Sequence, residues 1–414
     1  MTTISKPLFI YLQRPDTGDW VTVGRYVLDA ASGNGLFRYA PSYVQAGLSW
    51  SIDPVNLPFI PDRDFIAPRY HGLHDVLRDA CPDAWGRLLI QREHGLPANA
   101  DDLRYLALAG NADRWGALAV GSAKKPPAAH LATPRLAQLD TLIQELLAMS
   151  ERRGPVDARL RKRLMTHASL GGARPKATVR DGAASWLVKP LIATDTVDIP
   201  LLEHATQQWG RVSGLDFADT VHHRAGAGIS VVRVRRFDRD GAQRCMTISG
   251  ASLLGTTYPG GASDASNWSY PRLAEELKRI GAPREDGIAL FARMVFNAVV
   301  GNDDDHPRNH AARYDPTEKR WRLAPAFDVV PNPDDTPQRL TMQLSQGRHE
   351  IARDCIVRDA VRFGFANIAG AEAYLDQLLV RLSDGYDQVA GLLDAGLREK
   401  MQQRLRDNLG KLSG

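Results

Sequence analysis

Residues 301–310, GNDDDHPRNH, gather three carboxylates, two imidazoles and two amides into ten positions. Adjacent carboxylates repel, so such a loop is expected to be stabilised by a cation or to serve a reaction that needs a base. An exposed acidic loop is the plain alternative. Against it stands Asn309, five residues beyond Asp304. An Asp-x-x-x-x-Asn loop is how phosphoryl-transfer enzymes place a base for the attacking hydroxyl and a ligand for one magnesium ion. Other chemistries fail on spacing. An EF-hand starting at Asp303 needs Gly sixth and Glu twelfth, where Arg308 and Tyr314 stand. A zinc helix needs His-Glu-x-x-His, but Pro-Arg-Asn separates His306 from His310.

Asp328 follows an aromatic in LAPAFDVVP, 24 positions beyond Asp304, and matches the second metal ligand of the same scheme in order and type. Upstream, Lys189 closes the apolar run SWLV. A lysine there needs either an anion for its ammonium or a path to solvent. Glu203, on the next helical segment, is an available anion, and strand lysine followed by helix glutamate is the order kinases use to hold the α- and β-phosphates. The run Ser169, Leu170, Gly171, Gly172, Ala173, Arg174, Pro175, Lys176 is a glycine-rich turn entering a strand. Closely spaced glycines let backbone amides approach a polyphosphate, and the basic side chains add countercharge. The turn lacks Walker A spacing, and a simple turn also accounts for a Gly-Gly pair. The order loop, lysine, glutamate, DxxxxN, FD carries more information than any one piece. His222 and His223 read as surface histidines, the arginines of VVRVRRFDRD as a solvated sheet face, and Cys355 lacks the neighbours of a cysteine nucleophile.

The elements that must position these groups follow from periodicity. Residues 8–13, 21–28 and 36–39 alternate like strands between the turn-prone runs PDTGD and AASGNG, giving a small β module. Helical spacing covers 73–93, with Pro82 placed to open its second piece, and 101–109; a strand-like GALAV follows at 116–120. Residues 122–135, rich in Pro, Ala and Lys, read as a linker or long loop, where a domain boundary is expected. Beyond it come a helix at 136–151, strands at 176–180 and 185–188, a helix at 201–212, a strand at 231–237, a buried helix at 286–300, and at least two amphipathic helices within 372–408.

With 414 residues, 43% hydrophobic and 24% charged, the composition is that of a globular chain of two or three packed units. A net charge of +4 permits nucleic-acid contact without demanding it. Three widely separated cysteines, Cys81, Cys245 and Cys355, exclude a disulfide framework and a cysteine zinc site, and read as structural thiols of a reducing compartment. The apolar start LFIYL is too short for a signal segment, and the stretch 287–300 contains Arg293 and is too short to span a bilayer. A cytoplasmic protein without membrane partners is expected. No fixed-period repeat is present.

Taken together, these motifs resemble the HipA-type serine/threonine kinases, the toxin half of HipBA toxin–antitoxin pairs. The resemblance rests on SLGGARPKA at 169–177, WLVKP with Lys189, Glu203 eleven residues before Gly214-Leu215, VRRFDR at 234–239, GNDDDHPRNH and LAPAFDVVP. It extends to the front of the chain, through VGRYVLDAASGNGLFRYAPSYV, CPDAWGRLLIQRE and LAGNADRWGALAV. It implies an α+β, protein-kinase-like two-lobe fold: a HipA N-terminal subdomain at 1–122, a part resembling the kinase N-lobe at 136–245, and a helical catalytic lobe at 246–414. It implies Asp304 as catalytic base, Asn309 and Asp328 as Mg2+ ligands, and Lys189 on the ATP phosphates with Glu203. Leu170 to Pro175 would form the phosphate loop, Ser169 would be the autophosphorylated serine, His306 would lie at the nucleotide, and Arg235, Arg236 and Phe237 would line the adenine. Arg235 replaces an acidic residue of the family pattern, so adenine contacts are expected through the backbone. The implied cofactors are ATP and Mg2+. The implied partners are an aminoacyl-tRNA synthetase substrate of the glutamyl type, a HipB-like helix-turn-helix antitoxin, and operator DNA reached through that antitoxin. A small-molecule kinase of related fold, and a non-catalytic corepressor acting with a DNA-binding antitoxin, are the alternatives.

Overall fold

The computed structural model describes residues 6–29, 31–67, 69–126, 136–165, 172–226 and 228–414. By internal packing the chain divides into two units: Met1–Val188 with Asp238–Ile248 and Tyr314–Glu318, and Lys189–Phe237 with Ser249–Arg313 and Lys319–Gly414.

In the first unit the alternating N-terminal runs form strands β1 (Leu8–Gln13), β2 (Trp20–Asp29) and β3 (Asn34–Tyr39), joined by β4 (Phe65–Ala67) and β5 (Leu118–Gly121). They make one antiparallel sheet of order β4-β3-β2-β1-β5, with Leu8 opposite Tyr26 and Phe9 opposite Gly121. Ile10, Leu12, Val23 and Phe37 lie in the core, and Tyr11, on the opposite face of β1, is buried as well. Short helices α1 (Pro41–Gln45), α2 (Asp75–Asp79), α3 (Ala84–His94) and α4 (Asp102–Leu108) follow. The Asp83 carboxylate caps α3 by accepting from the amide of Gly86 at 2.9 Å, so Pro82 lies before the cap and not in the first turn. Buried Arg114 donates to the carbonyls of Ala80, Leu106 and Ala109 and thereby closes loose helix ends. Helices α5 (Leu139–Ser150) and α6 (Ala158–Met165) come next, then the hairpin of β6 (Ala177–Asp181) and β7 (Ala184–Pro190), in register Ala177 to Val188. The expected linker at 122–135 is described only to residue 126.

The second unit opens with α7 (Ile199–Val212), whose first turn is capped by Asp198, followed by the hairpin β8 (Thr220–Ala225) and β9 (Ile229–Arg235). The rest is mainly helical: α8 (Gly250–Leu254), α9 (Ala262–Ala265), α10 (Tyr270–Arg279), α11 (Arg284–Val300), α12 (Arg353–Arg358), α13 (Ile368–Val389) and α14 (Ala395–Leu412). Helix α11 is buried along nearly its whole length, and its one interior cation, Arg293, donates Nη2 to the carbonyl of Ala324 at 2.7 Å. Two long helices hold it in place. Trp209 of α7 packs edge-on against Phe296 of α11 with centroids 5.5 Å apart, and Asn408 of α14 donates to the carbonyls of Ala298 and Val299. The last turn of α11 is thus fixed where the acidic loop begins. Gly301 ends the helix at φ +71°, and a Cβ there would meet Arg404 and Pro337 at 3.0 Å, so only glycine serves.

Candidate active site

Lys189 sits on the penultimate residue of β7, where the apolar strand carries it inward. Its ammonium donates to Glu203 Oε1 at 2.7 Å and to Asp328 Oδ1 at 2.5 Å. The Lys189 and Glu203 side chains are 8% and 3% exposed, whereas Asp328 is 33% exposed. Burial would push the Lys189 ammonium toward neutrality, but the two carboxylates outweigh it and hold its pKa above the ordinary lysine value. Of the two expectations for this lysine, the structure shows the paired one. Glu203 is reached because it lies one turn into α7, and Gln207, one turn further, donates to the same Oε1 at 3.3 Å.

Asp328 adopts φ +58°, a left-handed conformation uncommon for a residue with a Cβ. Such outliers concentrate at functional positions, where the surrounding structure holds the strain. The preceding Phe327 stacks on Phe237 with centroids 5.2 Å apart, which places Phe237 beside the Asp328 segment. Arg235 is exposed and paired with Asp219 at 3.2 Å. Arg236 is buried, contrary to a uniformly solvated arginine face.

The acidic loop resolves the repulsion of its carboxylates by turning them apart. Asp303 Oδ2 accepts from the amide of Asn332 at 3.0 Å. Asp305 points inward and accepts from the Tyr270 hydroxyl, from Asn297 Nδ2 at 3.0 Å and from His310 Nε2 at 2.9 Å. Burial would raise its pKa, but the His310 charge and these bonds hold it below the ordinary aspartate value. The loop therefore needs no cation to keep three carboxylates together. Asp304 alone of the three is exposed. Its Oδ1 accepts from the hydroxyl of Tyr258 at 2.9 Å, and Tyr258 stacks on His306 with centroids 3.7 Å apart. His306 is held below the ordinary histidine pKa by burial, against the opposing fields of Asp304, Asp305 and Asp328. Its imidazole thus lies within the electrostatic reach of both the expected base and the expected metal ligand. Asn309, in the short turn Pro307–Asn309, donates Nδ2 to the Asp304 carbonyl at 3.4 Å, leaving its Oδ1 as the acceptor end.

The structure thus brings Lys189, Glu203, Asp328, His306, Asp304 and Asn309 into one linked set within the second unit. Ser169, Leu170 and Gly171 lie outside the described residues. Gly172 to Pro175 belong to the first unit; Gly172 takes φ +80°, and its carbonyl accepts from the Trp85 amide at 3.3 Å. Lys176, expected to add countercharge there, is buried and ion-paired to Asp83 at 3.0 Å. Tyr258, Tyr270, Asn297, Asp305 and His310 were not singled out from the sequence.

An Asp328 carboxylate and an Asn309 amide oxygen are hard oxygen donors, the type Mg2+ takes alongside nucleotide phosphates. Among the described residues no cluster of three His, Cys, Asp or Glu side chains has the arrangement of a self-sufficient metal site. The donor set fits a cation that arrives with its nucleotide.

Residues 168–391 match the HipA-like C-terminal domain. A Haemophilus influenzae protein named "Putative kinase" is 30% identical over 143 residues, 31% of this chain and 40% of that protein. A Sinorhizobium fredii protein named "Putative kinase Y4mE" is 30% identical over 142 residues, 32% of this chain and 33% of that protein. The matched segments thus span well under half of either relative. The fold is similar to HipA of Shewanella oneidensis MR-1, solved with HipB and its operator DNA, with a TM-score of 0.71 over 98% of this chain and 97% of that one at 15% identity. The mixed α/β architecture is that of HipA. With the family match covering more than half of its residues, the chain belongs to the HipA-like C-terminal domain family.

Proposed function

We propose that the chain is an ATP- and Mg2+-dependent protein serine/threonine kinase, acting as the toxin of a type II toxin–antitoxin pair. The observation that carries this reading is the buried Lys189 ammonium held between Glu203 and Asp328, in the same linked set as Asp304. Glu203 fixes the lysine so that its charge is presented to nucleotide phosphates at little further ordering cost. Mg2+ bound by Asp328 and Asn309 would neutralise phosphate charge. Asp304 accepts the proton of the acceptor hydroxyl; its exposure and its present bond to a tyrosine hydroxyl suit it to that contact. Phe237, with the backbone of Arg235 and Arg236, receives the adenine, and the segment from Leu170 to Pro175 keeps the phosphate-cradling role the resemblance gives it.

The names of the two relatives support kinase activity. The HipB and DNA partners of the Shewanella protein support an antitoxin partner of helix-turn-helix type and operator DNA reached through it. An aminoacyl-tRNA synthetase as substrate, autophosphorylation of Ser169 and a cytoplasmic location complete the proposal; among the described residues no helix is long and apolar enough to cross a membrane. Induced expression of wild type and Asp304→Asn, followed by phosphoproteomics, tests it. Growth arrest with one dominant phosphosite on a synthetase, and phospho-Ser169 on the chain, in the wild type alone is the expected result. Equal phosphoproteomes for the two would defeat it.

A further inference from the structure

Tyr258 lies in the loop 255–261 between α8 and α9, and the backbone on either side of it is anchored. Before it, the buried Trp268 indole donates Nε1 to Thr256 Oγ1 and to the Thr257 carbonyl, both at 3.1 Å. Thr256 is fully buried; its amide donates to the Ala251 carbonyl at 2.9 Å and its hydroxyl to the Asp264 carbonyl at 3.0 Å. After it, the Gly261 amide donates to Asp264 Oδ2 at 3.2 Å.

The ring is held as closely as the backbone. Trp268 meets it edge-on with centroids 5.2 Å apart, and His306 stacks on it at 3.7 Å. These contacts deliver the hydroxyl to Asp304 Oδ1 at 2.9 Å. His306 lies in the fields of both Asp304 and Asp328, so the ring seated on it stands beside the expected base and the expected metal ligand together. Asp304 is exposed as a whole, yet this one oxygen is already occupied.

A carboxylate that accepts the proton of a protein hydroxyl serves water equally well, and water is always present. Hydrolysis is therefore the side reaction that such a site must suppress. In it a water oxygen attacks the γ-phosphorus and the bond from that phosphorus to the bridging oxygen breaks. The electron pair of that bond leaves with ADP, and the water proton goes to Asp304. The Tyr258 hydroxyl holds the position on Oδ1 that this water needs. Burial, then the bond to Asp304, push its pKa up to about 12, so near neutral pH it stays a hydrogen-bond donor and not a phenolate nucleophile.

We propose, resting on the kinase reading above, that Tyr258 determines the choice of a protein hydroxyl over water: it occupies Asp304 Oδ1 until a docked acceptor segment displaces it. A protein acceptor brings binding energy from contacts remote from its hydroxyl and can spend it on the displacement. Water brings none.

Steady-state release of inorganic phosphate from Mg-ATP by the full chain, without added acceptor, tests this, with labelling of the chain and of a cell extract from γ-32P-ATP run in parallel. Tyr258→Phe keeps the ring on His306 and removes only the hydroxyl. Its phosphate release is expected to rise about 10-fold over wild type, the population shift of one hydrogen bond to a charged group. Tyr258→Leu, which also removes the stacked ring, should rise at least as far. A gain of turnover does not arise from damaged folding. Adding Asp304→Asn to Tyr258→Phe should abolish the gain, because the gain runs through the base. The proposal is overturned if wild type labels protein while neither Tyr258 variant releases phosphate faster than wild type, a result that leaves the kinase reading standing. It is also overturned if the gain survives Asp304→Asn. If wild type neither labels protein nor turns over ATP, the kinase reading itself fails and the proposal falls with it.

Discussion

The triad of Lys189, Glu203 and the half-buried Asp328 predicts an order of stabilities that its members' chemistry alone does not. Lys189→Met removes the shared cation that Glu203, 3% exposed, holds at 2.7 Å. Removing one partner of a buried ion pair costs about 3–5 kcal/mol. Asp328→Asn leaves the Lys189–Glu203 pair at 2.7 Å intact and removes a partner that is one-third exposed, which costs about 1 kcal/mol or less. Asparagine also tolerates φ +58°, whereas Asp328→Ala adds about 1 kcal/mol of backbone strain. Glu203→Gln falls between, because Lys189 keeps Asp328 while the amide replaces the carboxylate. Urea unfolding at neutral pH, followed by far-ultraviolet circular dichroism, measures all four. The expected order of destabilisation is Asp328→Asn, Glu203→Gln, Lys189→Met, with Asp328→Ala above Asp328→Asn. If Asp328→Asn costs as much as Lys189→Met, or Lys189→Met costs nothing, the buried network is not closed by the lysine and the reasoning fails.

Other consequences are testable at single residues. Tyr258→Phe removes the hydroxyl that bonds Asp304 Oδ1 at 2.9 Å, so KM for a protein acceptor should fall several-fold with kcat nearly unchanged; steady-state phosphorylation kinetics would show instead a lower kcat if the tyrosine aids the chemistry. Asp305→Asn breaks a buried set of three donors and should cost about 3 kcal/mol at pH 7 by urea unfolding, whereas a cost near zero would contradict the inward placement of that carboxylate. Burial and then His222 lower the His204 pKa to about 4. Its folded-state pKa lies below the unfolded value of about 6.5, so the unfolded chain takes up the proton first and stability falls as pH drops from about 6.5 to about 4. His204→Asn should flatten that part of the melting-temperature profile; an unchanged slope would contradict the neutral, buried imidazole.

The linked set was legible where residue order along the chain determines position. A lysine closing an apolar strand and a glutamate one turn into the next helix meet because hairpin and helix leave them little choice, and Asp304 and Asp328 carry the spacing of their loops. The remainder depended on contacts between distant segments. Tyr258 lies 46 residues before Asp304 in a loop between two short helices, and nothing local marks it. Three successive aspartates look alike in sequence, yet Asn332, Tyr258 and the pair Tyr270 and His310 draw them in three directions. Lys176 reads as countercharge for a phosphate because its partner, Asp83, is 93 residues away. In the fold, alternation located the N-terminal sheet well, while caps such as Asp83 shifted helix starts by one or two residues.

The central claim is that Asp304 serves as the base of a phosphoryl transfer. Incorporation of label from γ-32P-ATP with Mg2+ into the chain and into a cell extract, compared between wild type and Asp304→Asn of equal melting temperature, tests it most directly. Transfer by the wild type and a loss of at least about 100-fold in Asp304→Asn is the predicted result, in line with the contribution of a positioned base. Equal incorporation by the two proteins would contradict it.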